Sequence, residues 1–222
     1  MKDFIDTLTL EFERHSNPKI AVGQKAYMKN QFEFFGIKAP IRREIQKPFL
    51  IKKHLPPKRE LLKIIRKLWN KPEREYQMFG QELVNKYSKE FLPDDIELLE
   101  FMVTNKSWWD TVDFIATHMM GEYFIKYPQF RKKKAKEWLS SNNIWLQRSA
   151  LLFQLNYKEK LDTKLLESII KPLLGSKEFF INKAIGWVLR QYSKTNPEWV
   201  VHFVHRTPLH SLSKREALRL IK

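Results

Sequence analysis

Apolar residues recur at helical spacing along almost the whole chain. Between residues 61 and 69, for example, the apolar residues Leu61, Leu62, Ile64, Ile65, Leu68 and Trp69 recur at helical spacing. The same spacing returns between residues 144 and 155. No segment shows the two-residue alternation or the Asn-Gly and Asp-Gly turns of a β-hairpin. The pattern predicts an all-α protein of about a dozen helices joined by short loops.

Several short motifs mark where these helices begin. The segments Ser107-Trp-Trp-Asp110, Thr195-Asn-Pro-Glu198 and Ser213-Lys-Arg-Glu216 have the spacing of a capping box or its aspartate variant. Their first residues are therefore candidate N-caps. Prolines at 40, 72, 93, 128 and 197 stand where first helical turns are expected. The least regular stretch is residues 34–37.

Large aromatic residues suggest a repeat. Tyr27, Trp69, Trp109, Trp145 and Trp187 are spaced by 42, 40, 36 and 42 residues, and helical-pair repeats of the HEAT and armadillo kind have periods of about 40–47 residues. Tryptophans that fill a core at arbitrary spacing are the alternative. Together with the helical periodicity, the spacing favours an α-solenoid formed by a single domain over residues 1–222. The concave face of such a solenoid is a long binding surface.

The charge balance points to a polyanionic partner. The chain has 41 Lys and Arg against 25 Asp and Glu, a net charge of +16, whereas solubility alone needs a net charge of only about 2–8. Residues 42–67 hold ten basic residues against two glutamates, and residues 131–136 read Arg-Lys-Lys-Lys-Ala-Lys. Either cluster alone is commonly just a solvated helix face. Together they predict salt-sensitive contacts to nucleic-acid phosphates, with Arg43 among the candidates.

Other classes of chemistry find little support. The chain has no cysteine, and its six glycines are dispersed, which excludes thiolate sites and glycine-rich phosphate loops. His202 and His205 could share a helix face, but only His210 is near in sequence as a third zinc ligand, so we expect no metal. The first residues read as an amphipathic helix and not as a signal peptide. No apolar run approaches the ~18 residues of a spanning helix. We therefore expect a cytoplasmic protein without a membrane partner.

The most unusual segment is Lys106-Ser-Trp-Trp-Asp-Thr-Val-Asp113. With Ser107 as N-cap, Trp109 and Asp113 are four residues apart and stack on one helix face. An aromatic face beside a carboxylate suits a cationic ligand. Two plainer explanations remain. Trp109 could belong to the core above a solvated Asp113, or Asp110 and Asp113 could simply suit the positive end of a helix.

Four segments resemble a known family across the whole chain. YMKNQFEFFGIKAPIRRE, TNKSWWDTVD, NNIWLQRSALLFQL and SKEFFINKAIGWVLRQYSKTNP are similar to the bacterial alkylpurine DNA glycosylase AlkD family of DNA alkylation repair proteins. The resemblance implies a right-handed α-solenoid of HEAT-like repeats with a concave basic face. It also implies a monomeric enzyme of the bacterial cytosol that acts on double-stranded DNA without metal or cofactor.

The resemblance also assigns an activity and a site. Members excise N3- and N7-alkylated purines, which are cationic, and are described as acting without flipping the base into a pocket. The catalytic cleft maps onto Trp109, Asp113 and Trp187. Tyr27 lies alongside, and Arg148 is expected to hold a DNA phosphate. We expect Arg43 and Arg190 to bind DNA as well.

The resemblance is consistent with elementary chemistry. A cationic purine is a good leaving group without a general acid, and a carboxylate near the sugar stabilises the positive charge that develops as the glycosidic bond breaks. No lysine occupies the mapped cleft positions, so we expect hydrolysis to an abasic site without strand cleavage. The alternatives are a non-catalytic nucleic-acid binder on the same fold and a helical scaffold for acidic proteins. The Trp109 and Asp113 pair argues against both.

Overall fold

A computed structural model describes residues 4–221 and shows a helical protein. These residues form fourteen α-helices joined by short 3₁₀ turns and loops, and their only β-type contact is an isolated bridge between Glu33 and Glu73. The prediction of an all-α fold is confirmed. The expected N-terminal helix begins at Phe4, and residues 1–3 and 222 lie outside the described part. The chain divides into two compact units, with the boundary between Glu90 and Phe91.

The first unit contains five α-helices. They are α1 (Phe4–Arg14), α2 (Pro18–Tyr27), α3 (Ala39–Gln46), α4 (Leu61–Asn70) and α5 (Arg74–Asn85). Its core is aromatic, because Phe12 of α1 and Tyr76 of α5 pack with their ring centroids 5.5 Å apart, and Phe35 lies 5.5 Å from Tyr76. Between α3 and α4 the chain makes three short 3₁₀ turns, so the basic stretch 42–67 is only partly α-helical.

The irregular stretch predicted at residues 34–37 belongs to a loop that joins α2 to α3. The buried carboxylate of Glu75 accepts hydrogen bonds from the backbone N–H groups of Phe35, Gly36 and Ile37, at 3.1 to 3.2 Å. Gly36 has a φ of +85°, and a Cβ there would lie 2.0 Å from the carbonyl oxygen of Asn17. Only glycine fits this position, and Glu75 fixes the loop to α5.

The second unit contains nine α-helices and one π-helical segment. They are α6 (Asp95–Thr104), α7 (Trp109–Phe114), the π-helical segment (Ile115–Met120), α8 (Gly121–Lys126), α9 (Arg131–Ser140), α10 (Ile144–Leu152), α11 (Thr163–Ile170), α12 (Phe179–Tyr192), α13 (Pro197–Arg206) and α14 (Ser211–Ala217). The π-helical segment follows α7 directly and continues into α8, so the chain runs from Trp109 to Lys126 as one interrupted helix.

Contacts within this unit arrange its helices in two rows. The first row holds α7, α10, α12 and α14, each in contact with the next. The second row holds α6, α9, α11 and α13. Helix α9 contacts α11 directly. Ion pairs join the other members, from Lys134 of α9 to Glu100 of α6 at 2.9 Å and from Arg206 of α13 to Glu167 of α11. Helix pairs therefore recur along the chain, as helical repeats require. That the whole chain is one solenoid stays a prediction.

The aromatic spacing that suggested the repeat does not mark equivalent positions. Tyr27 ends α2, Trp109 begins α7 and Trp187 lies in the middle of α12. Trp69 is 2% exposed whereas Tyr27 is 68% exposed. The spacing of the large aromatic residues therefore gives no support to the predicted repeat, which rests on the recurring helix pairs instead.

The predicted helix starts are displaced by one or more residues. Asn196, and not Thr195, is the N-cap of α13, and its side chain accepts from Trp199 N–H at 3.0 Å. Asparagine is the better capping residue of the two. Ser213 lies inside α14, where its hydroxyl donates to the carbonyl of Asn182 at 2.8 Å. Among the prolines, those at 40, 128 and 197 stand in first turns, whereas those at 72 and 93 precede their helices.

Candidate active site

Trp109 and Asp113 lie on α7, one turn apart, as the sequence predicts. The start of the helix differs from the expectation, because Ser107 is not its N-cap. The Ser107 hydroxyl donates instead to the carbonyl of Val103, and the extended Trp108 is the N-cap. The shift is one residue, so the two side chains still share a face.

Asp113 is held by a two-point ion pair with Arg148 of α10. Arg148 Nε donates to Asp113 Oδ1 at 2.7 Å, and Arg148 Nη2 donates to Asp113 Oδ2 at 2.9 Å. The Arg148 side chain is 5% exposed and that of Asp113 is 17% exposed. A third nitrogen, Nη1, donates to the carbonyl of Phe180 in α12. One guanidinium therefore joins three consecutive helices of the first row.

This geometry argues against the DNA-phosphate contact expected for Arg148, which stays a prediction. A phosphate-holding arginine needs its donors exposed to DNA, but at least three of the five N–H groups of Arg148 are bound within the protein. The bidentate arrangement fixes both oxygens of Asp113. Arg148 positions the carboxylate.

Burial raises the pKa of the Asp113 carboxyl group above its ordinary value, and the nearby charge of Asp110 acts in the same direction. The hydrogen bonds and the charge of Arg148 oppose this rise. A buried carboxylate without such a partner takes up a proton. Arg148 is therefore the group that favours the ionised form of Asp113.

An aromatic cluster lies beside this ion pair, at the starts of the three helices. Trp108, Trp145 and Phe180 pack with ring centroids 5.0 to 5.7 Å apart. The Phe180 ring also lies 5.9 Å from the guanidinium carbon of Arg148. Sequence reasoning did not assign Trp108 or Phe180 to the site. The sequence feature that could have identified them is an aromatic residue at the start of each of α7, α10 and α12, in the segments Ser-Trp-Trp, Asn-Ile-Trp and Glu-Phe-Phe.

Trp187 lies on α12, seven residues after Phe180 and therefore on the same face. Its neighbour Gly186 permits the close helix packing that the sequence suggested. A Cβ at Gly186 would lie 2.5 Å from the Cβ of Glu216 and 3.0 Å from the carbonyl oxygen of Ser213, both on α14. The position of Trp187 is therefore set by the tight contact between α12 and α14.

Two basic residues flank Trp187 on α12, and both pair with the single carboxylate of Glu216. Lys183 Nζ lies 3.0 Å from Glu216 Oε1, and Arg190 pairs with the other oxygen. The hydrogen bond from Lys183 is the largest of the effects that lower the pKa of Glu216. The expected DNA contact of Arg190 thus has an internal competitor, because a phosphate must share the guanidinium with Glu216.

Tyr27 and Arg43 belong to the first unit, whereas Trp109, Asp113, Arg148, Trp187 and Arg190 all belong to the second. Tyr27 is the last residue of α2 and is 68% exposed. Arg43 is an exposed residue of α3. The predicted catalytic residues thus lie in one unit, with Trp109 and Asp113 on α7, Trp187 on α12, and α10 between these two helices in the row. The places of Tyr27 and Arg43 in the site stay predictions.

The basic clusters are less uniform than the sequence suggests. Arg42 is buried and pairs with Glu82 at 3.0 Å, so it is not a surface cation. Lys134 is half-buried and pairs with Glu100. The rest of the 131–136 cluster lies on α9, in the row of helices that does not carry Asp113. Only part of the positive charge is therefore available to one bound duplex.

The described residues show neither a cluster of metal ligands nor a membrane span. Residues 4–221 contain no group of three or more His, Cys, Asp or Glu side chains placed to hold a metal ion. None of the described helices is long and apolar enough to cross a membrane.

Comparison with known proteins identifies the family. The family model described as DNA alkylation repair enzyme matches residues 8–221. A solved structure titled as a predicted DNA alkylation repair enzyme from Enterococcus faecalis is similar, with a TM-score of 0.87 and 36% sequence identity. The match covers 93% of this chain and 97% of that one. No match was found among curated proteins. The likeness in sequence and structure extends over nearly the whole chain, which therefore belongs to the family of DNA alkylation repair enzymes.

Proposed function

We propose that the protein is a monofunctional DNA glycosylase. It hydrolyses the N-glycosidic bond of cationic N3- and N7-alkylated purines in duplex DNA and leaves an abasic site. The observation that carries the proposal is the partly exposed Asp113 carboxylate, one turn from Trp109 and held by Arg148, which also bonds the backbone of α12, the helix that bears Trp187. This arrangement places negative charge and aromatic faces at one site of a strongly basic protein.

The substrate supplies its own leaving group. Alkylation at N3 or N7 gives the purine a positive charge, and that charge is neutralised when the base departs with the electron pair of the glycosidic bond. A general acid is therefore unnecessary. Positive charge develops on the deoxyribose as in glycoside hydrolysis, and a carboxylate beside the sugar stabilises it.

Asp113 provides this carboxylate. Arg148 occupies one lone pair on each oxygen, and a carboxylate has about four acceptor sites. The remaining sites face the 17% of the side chain that is exposed, where they stabilise the sugar cation and orient the attacking water. Water adds to C1′ of the sugar, and its proton passes to the carboxylate or to solvent. The charge of Arg148 favours the ionised form of Asp113 between turnovers.

The aromatic residues bind the cationic sugar. Trp109 precedes Asp113 by one turn, and Trp187 lies on α12, which follows α10 in the same row of helices. Ring faces attract a positive charge, and the attraction grows when water is excluded. Tyr27 is proposed to lie alongside the same nucleotide from the first unit.

A Schiff base with lysine is not expected. Lys183 lies one turn before Trp187, but its ammonium group pairs with Glu216 at 3.0 Å. A protonated amine has no lone pair for attack on the sugar. Cleavage therefore ends at the abasic site with the strand intact.

We further propose that residues 1–222 form one monomeric right-handed solenoid of HEAT-like repeats. The recurring helix pairs of the second unit support this architecture, as does the family resemblance. DNA lies against a basic concave face, with phosphates held by exposed residues such as Arg43 and by Arg190. The proposed chemistry needs neither metal nor cofactor, and the substrate is DNA in the bacterial cytosol.

The test is base release from methylated duplex DNA. The purified protein is incubated with the duplex, and free 3-methyladenine and 7-methylguanine are measured by chromatography against spontaneous depurination. We expect release above that background, with strands that break only after alkaline treatment. Binding of the duplex without release would indicate the non-catalytic nucleic-acid binder instead. Strand breakage without alkali would contradict the monofunctional mechanism.

A further inference from the structure

The π-helical segment that follows Asp113 leaves one backbone carbonyl without its usual donor. In an α-helix the N–H of Gly121 donates to the carbonyl of residue 117. Here Gly121 N–H donates to the carbonyls of Ala116 and His118 instead. The carbonyl of Thr117 is thus released by the wider turn, and Thr117 is buried.

A side chain from the turn that follows α10 replaces the missing donor. Asn156 Nδ2 donates to the carbonyl of Thr117 at 3.2 Å. Close by, the Tyr157 hydroxyl donates to the carbonyl of Gly121 at 2.7 Å. Gly121 itself packs closely enough that an added Cβ would lie 3.0 Å from the Phe153 carbonyl oxygen. The chain after α10 therefore holds the π-helical segment through side-chain bonds to its backbone.

The same segment is coupled to Asp113. The Thr117 hydroxyl donates to the carbonyl of Asp113 at 2.7 Å. A π turn contains one residue more than an α turn, so it rotates α7 against α8 by about 100° around their common axis. The direction of the Asp113 side chain toward Arg148 therefore depends on whether the π turn is kept.

We propose that Asn156 is a positioning residue for Asp113. Its amide stabilises the π-helical segment by satisfying the Thr117 carbonyl, and the segment fixes α7 in the register that pairs Asp113 with Arg148. Arg148 of α10 then holds Asp113 of α7, and Asn156, four residues beyond the end of α10, holds the π-helical segment that follows α7. The catalytic consequence rests on the proposed glycosylase function, whereas the structural link to Asp113 does not.

The test compares Asn156→Ala with a matched control. Gln147 of α10 also donates a side-chain amide bond to a backbone carbonyl at 3.2 Å, but to that of Leu139 in α9 and not to the π-helical segment. Gln147→Ala therefore removes the same kind of interaction without touching the link to Asp113. Asn156→Asp is a second variant that keeps the shape of the side chain and loses its donor. Thermal unfolding verifies that all three variants fold.

The first readout is the pKa of the Asp113 carboxyl group, measured by carbon NMR titration. The charged groups that act on this carboxyl are Arg148 from α10 and Asp110 from its own helix. In Asn156→Ala and Asn156→Asp we expect the pKa to rise, because the bonds from Arg148 weaken. In Gln147→Ala it stays at the wild-type value.

The second readout is the single-turnover rate of base release. We expect a fall of roughly 10- to 100-fold in both Asn156 variants, as for a catalytic group displaced by about 1 Å, with unchanged DNA affinity. A pKa and a rate equal to those of Gln147→Ala would overturn the proposal. If the wild-type protein releases no alkylpurine, the proposed function fails, but the titration still decides whether Asn156 positions Asp113.

Discussion

The charge of Asp113 is the feature on which the proposed chemistry depends. Replacing Asp113 by Asn keeps the shape of the side chain and removes that charge. We expect the single-turnover rate of 7-methylguanine release to fall by roughly two to three orders of magnitude, the usual effect of losing one preorganised electrostatic group. DNA affinity should stay the same or rise slightly, because a negative charge facing a polyanion has been removed.

Asp110→Asn is the matched control for this variant, because it removes a carboxylate from the first turn of the same helix. If the two aspartates served only the positive end of α7, both variants would lower stability alike and leave the rate unchanged. Hypoxanthine provides a second control. It is a neutral base that needs protonation, so we expect the wild-type protein to release it far more slowly than 7-methylguanine. Rapid release of hypoxanthine would reveal a general acid elsewhere in the site.

Arg148 is predicted to act on Asp113 and not on DNA. Arg148→Met leaves a buried carboxylate without its partner, so we expect a loss of about 3–5 kcal/mol in the free energy of unfolding. The double variant with Asp113→Asn should lose less than the sum of the two single losses, since the neutral amide needs no counter-charge. Denaturant unfolding of the four proteins measures this coupling.

The exposed Arg43 is the control for this cycle, and Arg43→Met should leave stability nearly unchanged. The opposite result would support the DNA-phosphate contact first expected for Arg148. If Arg148→Met were almost as stable as the wild type but bound DNA with a weaker salt dependence, its guanidinium would be a phosphate contact.

At the scale of single elements, the packing of α12 on α14 depends on Gly186. Alanine at this position places a methyl group 2.5 Å from the Glu216 Cβ and 3.0 Å from a backbone oxygen, neither of which can swing away. We expect Gly186→Ala to lower the free energy of unfolding by about 1–3 kcal/mol, as overpacking does. Gly23→Ala should instead stabilise α2 by about 0.5–1 kcal/mol, because nothing lies within 4 Å of the added methyl group. Equal changes in the free energy of unfolding for Gly186→Ala and Gly23→Ala would show that α12 and α14 can move apart without loss of stability.

The loop that joins α2 to α3 should respond to pH through Glu75. Burial raises the pKa of the Glu75 carboxyl group, and this effect exceeds that of the backbone hydrogen bonds, which lower it. The folded state then binds this proton more tightly than the unfolded state. The contribution of Glu75 to stability is therefore largest at low pH and declines as pH rises from about 4.5 through the higher folded-state pKa.

Glu75→Gln removes this titration. The difference in unfolding free energy between wild type and variant should therefore fall as pH rises through that interval. Denaturant unfolding at several pH values measures the difference. A difference that is constant, or that grows with pH, would mean that the hydrogen bonds from the loop outweigh burial.

At the scale of the whole molecule, the net charge of +16 predicts measurable binding to undamaged duplex DNA with a steep salt dependence. Removing a cation that neutralises one phosphate should reduce the slope of log affinity against log salt by about 0.9. The structure selects the residues for this test. Arg43→Ala should reduce the slope, whereas Arg42→Ala should lower stability and leave the slope unchanged, because Arg42 is buried against Glu82. If the slope of log affinity against log salt is the same in both variants and the wild type, α3 does not contact DNA phosphates.

The sequence by itself determined the fold class and the family, because both are expressed in local patterns. Helical spacing of apolar residues is a property of each segment, and the all-α fold followed from it. Trp109 and Asp113 are four residues apart in one helix, so their shared face could be predicted even though the N-cap was misplaced by one residue. Gly186 alone likewise predicted that α12 packs closely against another helix, which the structure shows to be α14.

Only the tertiary structure decided which partner each charge finds. Arg148 is 35 residues from Asp113 in sequence, and Arg190 is 26 residues from Glu216. No local pattern distinguishes an arginine that faces solvent from one that is buried against a carboxylate, because burial depends on which helices pack together. The same holds for Arg42 and Arg43, which are neighbours in sequence and opposite in exposure. Composition thus set the total charge of the protein, and helix packing determined how much of that charge is left for DNA.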